Sequence, residues 1–142
     1  MDFTLDPELN ALRIKTRQFV KDHILPIEHD RSNWDSHDNI RLDILETLRS
    51  KAKAVGLWAP QVPKNWGGMG LPMTGWATMY EEANYSIFGP CVFNCAAPDD
   101  GNMNVLTKRG TEDQKKQWLA PIVAGKVRSA FVMTEPHPGG GS

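Results

Sequence analysis

The reactive side chains of this sequence are few enough to weigh one at a time. Cys91 and Cys95 are its two thiols. Their spacing suits one face of a helix, but a structural zinc site takes four ligands, so core packing is the expected role. His23, His29 and His37 lie among acidic residues without metal-ligand spacing and read as solvated side chains, so no metal site is expected. Glu81 and Glu82 are candidates for acid–base work. Adjacent residues on a helix point in different directions, however, so these carboxylates do not converge. Lys115-Lys116 reads as an exposed helix turn, and Trp58 and Trp66 as core anchors. What remains is the stretch Arg128-Ser129-Ala130-Phe131-Val132-Met133-Thr134, extended and β-prone, which runs through Glu135-Pro136-His137-Pro138 into Gly139-Gly140-Gly141-Ser142. Taken alone, it reads as an alternating strand followed by a linker.

Whatever these residues do, helices must position them. The sequence has 142 residues, 40% hydrophobic and 23% charged, with a net charge of -1. That is an ordinary globular balance for one domain, and it excludes a disordered chain, a collagen and a coiled-coil rod. Near-neutrality argues against nucleic acid or an acidic membrane as partner. No apolar stretch approaches the length of a bilayer span. Two cysteines favour a reducing compartment, and Met1 to Asp6 shows no secretory signal. The expected location is the cytoplasm, or an organellar matrix if a targeting peptide has been removed.

The periodicity predicts an all-α bundle of about six helices, up-and-down or orthogonal. Asp6-Pro7-Glu8 opens the first, with Leu9, Leu12, Phe19, Val20 and Ile24 on one stripe, and Pro26 is expected to kink or end it. A polar turn follows to Asp38. A second helix is expected from about Asn39 to Val55, stopped by Gly56. Residues 57–70 form an ordered loop. Pro72 opens a third helix, to about Ser86. A short fourth precedes Pro98, and a fifth runs from about Asp100 to Arg109. Thr111-Glu112-Asp113-Gln114 is a capping-box pattern that starts a sixth helix, ended by Gly125. A strand beginning after Lys126 has no partner in this sequence, which suggests a helical domain, 1–126, followed by the start of a β domain, 127–142.

Three blocks then resemble the acyl-CoA dehydrogenase family. Pro63-Lys64-Asn65-Trp66-Gly67-Gly68-Met69-Gly70 is similar to the family's Pro-x-x-aromatic-Gly-Gly-x-Gly loop. Gly110-Thr111-Glu112-Asp113-Gln114-Lys115 is similar to its Gly-Thr/Ser-x-x-Gln-Lys helix start. Ala130-Phe131-Val132-Met133-Thr134-Glu135-Pro136, with Gly141-Ser142 behind it, is similar to its flavin-contacting Thr-Glu-Pro…Gly-Ser segment. Val92-Phe93-Asn94-Cys95-Ala96-Ala97-Pro98-Asp99-Asp100-Gly101-Asn102-Met103 looks like the subgroup whose animal members carry a kinase-like domain ahead of the dehydrogenase. The resemblance covers the chain as the family's N-terminal helical domain. One departure is the four residues His137 to Gly140, where many relatives have two.

The resemblance implies an FAD-dependent oxidation of acyl-CoA thioesters to 2,3-enoyl-CoA. A carboxylate takes the α proton and flavin N5 accepts hydride from the β carbon. In the family that carboxylate lies in the C-terminal helical domain. Glu81, Glu82 and Glu135 do not match it, so no catalytic base is assigned. The resemblance assigns cofactor contacts to Phe131, Met133, Thr134, Gly141 and Ser142. It places Ser142 near pyrophosphate or acyl-CoA, and Ala96, Ala97, Pro98 and Asp99 near the acyl-chain tunnel. For those four, tight helix packing is an equal alternative. It implies an electron-transferring flavoprotein as partner and a homo-oligomer. A related flavin oxidase or monooxygenase, or a non-catalytic helical module, stays open beside this reading.

Overall fold

The computed structural model describes residues 4–134. Six helices make up the described chain: α1 (residues 7–28), α2 (Leu42–Ala54), α3 (Met73–Ala83), α4 (Gly89–Val92), α5 (Asp99–Arg109) and α6 (residues 112–123). This is the all-α bundle that the periodicity predicts.

Helix α1 starts where the Asp6 side chain accepts from the Leu9 N–H at 2.8 Å, with Pro7 in the first turn. It does not end at Pro26. The turn Val20–Ile24 widens to a π-helix, in which the Leu25 N–H reaches back to the Val20 carbonyl, and the helix continues to Glu28. Proline lacks an N–H and its ring crowds the carbonyl four residues back. A widened turn just ahead of it accommodates both defects. Helix α6 does the same: its π turn, Lys115–Leu119, ends with the Ala120 N–H on Lys115, one residue before Pro121.

Helix α2 begins three residues later than the apolar pattern suggests. The Asp35 carboxylate accepts from the His37 and Asn39 N–H groups, Asp38 is left-handed, and Ile40 pairs with Trp34 in an isolated bridge. That turn uses residues 35–40 before a helix can form. At the other end Gly56 takes the left-handed stop, and the Leu57 N–H bonds back to Ala52. The Thr111–Gln114 capping box of α6 is formed in both directions.

Two apolar cores result. The larger joins α1, α2, α3 and α4 through Phe19, Ile24, Leu48, Met79, Val92 and Phe93. The smaller joins α5 and α6 through Met103, Leu119, Ile122 and Val123, together with Trp58, Ala59 and Val62 from the loop. Fully burying a side chain of this size contributes about 1.5–3 kcal/mol. The 57–70 loop folds onto itself between them, with the Met69, Gly70 and Leu71 N–H groups on the Ala59, Val62 and Pro60 carbonyls. A Cβ at Gly68 would lie 2.2 Å from the Val62 carbonyl oxygen, so only glycine fits there.

Residues 126–134 leave α6 as an arm. No strand is formed among the described residues, because a strand needs a neighbour to pair with and the arm has none.

Candidate functional site

The arm carries the residues singled out for cofactor contact, and its root explains where it points. Three donors from distant elements close the C-terminal end of α6. The Trp58 indole N–H donates to the Val123 carbonyl at 2.8 Å. Asn94 Nδ2 donates to the Ile122 and Val123 carbonyls at 3.1 and 3.3 Å. Lys53 Nζ donates to the Ala124 carbonyl at 2.9 Å and lies over the Trp58 ring, 4.2 Å from its centroid. The last carbonyls of a helix have no partner within it, and these contacts supply them. Asn94 follows α4 in the left-handed region, which asparagine tolerates better than most residues, and that turn aims its amide at α6.

A second cluster grips the arm itself. Asp99, the first residue of α5, is 2% exposed. Its carboxylate accepts from the Ser129 N–H at 2.7 Å and the Ser129 hydroxyl at 2.6 Å, and pairs with Arg128 Nε. One turn further along α5, Asn102 Nδ2 donates to the Ser129 hydroxyl at 2.8 Å. Ala96, Ala97 and Pro98 precede this cluster, joined by a cis Ala97–Pro98 peptide. Ala97 is exposed, while Ala96 and Pro98 are half-buried.

Beyond the grip the arm is bare. Phe131 is 71% and Met133 57% exposed, and Thr134 is exposed as well. Gly141 and Ser142 lie outside the described residues. Beside the arm runs an open groove of about 570 Å³, whose apolar lining includes Val105, Leu106, Trp118, Ile122 and Val127. Sequence reasoning thus placed Asp99 with the acyl chain and Thr134 with the flavin, and the structure links the two through Arg128 and Ser129. It missed Asn94, Asn102, Arg128 and Ser129. The available signal was Asp99 and Asn102 at a spacing that shares one helix face.

The acids considered for catalysis lie elsewhere. Glu82 is fully buried and held bidentately by Arg17, at 2.7 and 2.8 Å. Glu81 is exposed. Burial pushes the Cys95 thiol and the Tyr80 phenol well above their ordinary values, so both stay neutral. Among the described residues no group of acids, histidines and cysteines could hold a metal. No helix there is long and apolar enough to cross a membrane.

The acyl-CoA dehydrogenase N-terminal domain model matches residues 6–126, and the chain belongs to that family. It is 42% identical over 129 residues to acyl-CoA dehydrogenase family member 11 of Gallus gallus, covering 87% of this chain and 16% of that protein. It is 37% identical over 141 residues to the Mycobacterium tuberculosis protein named "Probable acyl-CoA dehydrogenase FadE2", covering 96% and 34%. The solved "Structure of a putative acyl-CoA dehydrogenase from Mycobacterium abscessus" superposes with a TM-score of 0.79 at 35% identity, covering 95% of this chain and 36% of that one. The chain thus spans about a third or less of the length of these relatives.

Proposed function

We propose that this chain is the N-terminal helical part of an FAD-dependent acyl-CoA dehydrogenase that oxidises acyl-CoA thioesters to 2,3-enoyl-CoA. The observation that supports it is the arm: Phe131, Met133 and Thr134 stand exposed on backbone that no ladder occupies, directly after a family helical domain. Those residues suit one edge of a flavin. Apolar side chains would lie against the ring system, and the Thr134 hydroxyl would donate to it. When bound, FAD supplies the hydride acceptor. The chain's own part is to orient that edge and to stabilise charge that develops there, an electrostatic contribution.

In this reading residues 1–126 are the helical domain and 127–142 the entry to a β domain. Gly141 and Ser142 extend the cofactor contact toward pyrophosphate. Ala96, Ala97, Pro98 and Asp99 border the acyl chain. The α-proton acceptor lies outside these residues, so the chain by itself is inactive. An electron-transferring flavoprotein takes the electrons, the enzyme is a homo-oligomer, and it works in the cytoplasm or an organellar matrix.

The test is to express the full-length gene product and record its visible spectrum before and after adding acyl-CoA. Flavin absorbance that bleaches with acyl-CoA, together with formation of enoyl-CoA, is expected. A colourless protein that reduces no acceptor would overturn the reading.

A further inference from the structure

We propose that Asp99 is a positioning residue for the flavin-contacting arm: its buried carboxylate, assisted by Asn102, pins Arg128 and Ser129 and so fixes where the segment carrying Thr134 begins. This rests on the functional reading above.

The first turn of a helix favours acids through the dipole alone, and that would be the bland explanation for Asp99. Its neighbour Asp100 fits it, accepting from the Gly101 N–H within its own helix. Asp99 does not. All three donors on its carboxylate come from the arm, about thirty residues away in sequence. A carboxylate this buried is costly unless every lone pair is served. Here a guanidinium, an amide and a hydroxyl serve it, and the hydroxyl in turn accepts from Asn102.

Among the described residues the grip is also the last hold on the arm. Every hydrogen bond recorded for residues 128–130 goes to Asp99 or Asn102. Upstream, the nearest other hold is the Lys126 N–H on the Pro121 carbonyl at 3.0 Å. Extended chain spans at most about 3.3–3.6 Å per residue, so Thr134 lies within about 17 Å of an anchored Ser129, against about 27 Å from Lys126. Pinning Ser129 therefore cuts the volume open to Thr134 about fourfold. Flavin contacts are lost by errors far smaller than that difference, which makes the anchor a determinant of cofactor geometry.

Asp99→Ala, Asp99→Asn and Ser129→Ala in the full-length protein test the idea. Asp99→Ala strands no buried charge, because Arg128 is half exposed and water can take its place. Exchange of the Ser129 amide, followed by hydrogen–deuterium exchange of residues 127–134, is expected to quicken about tenfold or more, as fits loss of charge-assisted bonds. The flavin visible spectrum and reduction potential are expected to shift with it, while the melting temperature changes little. Asp99→Asn, which keeps an acceptor for the Ser129 N–H, should recover part of both. If Asp99→Ala fails to fold, Ser129→Ala tests the same hold in part: it deletes the hydroxyl that meets Asp99 and Asn102 while the Ser129 N–H and Arg128 stay on Asp99, so a smaller quickening and a smaller flavin shift in the same direction are expected. Faster exchange with an unchanged flavin spectrum and potential would overturn the proposal and leave the functional reading standing. Unchanged exchange would overturn it as well. A wild-type protein without flavin would remove both.

Discussion

Thr134 and Cys95 show how differently two small side chains are used. Thr134 is exposed on the arm, and in the proposed reading its hydroxyl meets the flavin. A hydrogen bond to a charged group contributes about 1.5–3 kcal/mol. In the full-length protein Thr134→Ala should therefore weaken FAD binding by roughly ten- to a hundredfold, or shift the flavin potential by the equivalent energy. Titration of the apoprotein with FAD checks this, and unchanged affinity with unchanged potential would remove Thr134 from the site. Cys95 is the opposite case. It is buried, and burial raises its pKa above the ordinary 9.0; Tyr80 is likewise raised above 10.0. A group whose folded pKa is raised contributes stability in full below its unfolded pKa and loses it as pH rises toward the folded value. The melting temperature should accordingly fall as pH climbs past about 9, and Cys95→Ala should flatten that decline. A thiol reagent near neutral pH should label the half-buried Cys91 first.

At the scale of elements, the C-terminal end of α6 is the joint on which the arm depends. Asn94→Ala removes both carbonyl contacts and leaves a residue that disfavours the left-handed region; Asn94→Gly removes the contacts alone. Asn94→Gly should cost about 1–3 kcal/mol, and Asn94→Ala about 1 kcal/mol more. Denaturant unfolding of the pair separates the two terms, and equal losses would show that the backbone contributes nothing. This joint also marks where sequence reading stops. Caps and stops were legible because they are local: Asp6 with Leu9, Thr111 with Gln114, Gly56 after α2. The apolar stripe gave the face of α1 for the same reason. The start of α2 was missed because Asp35, Asp38 and Ile40 close a turn whose closure depends on Trp34. Pro26 reads as a breaker because a π turn leaves no mark in composition. The grip of Asp99 on Ser129 was out of reach because it is a tertiary contact between segments with no shared period. The motif around Thr134 named its residues, yet nothing in it says what holds the arm.

For the molecule as a whole, the decisive surface is the face that α5, α6 and the arm share. Val105, Trp118 and Val127 are exposed around one groove, and Phe131, Val132 and Met133 extend the apolar area along the arm. Exposed apolar area of this kind favours association. The 142-residue chain should therefore self-associate at high concentration, and Trp118→Gln should shift it toward monomer, as sedimentation or light scattering would report. A monomer at every concentration would show that the patch is not adhesive. The same chain should purify colourless, since a flavin site needs enclosure that one arm does not provide; a yellow chain would contradict this. The closure of α6 by Lys53 and Trp58 has a consequence of its own for the making of the protein. The indole of Trp58 and the carbonyl it meets are 65 residues apart, and Lys53 and its carbonyl 71. At about 5–20 residues per second on the ribosome, Trp58 emerges roughly 3–13 seconds before its partner exists. The larger core, whose last residue is Cys95, is completed during that wait. The smaller core closes last, and the direction in which the arm departs is settled only when it does.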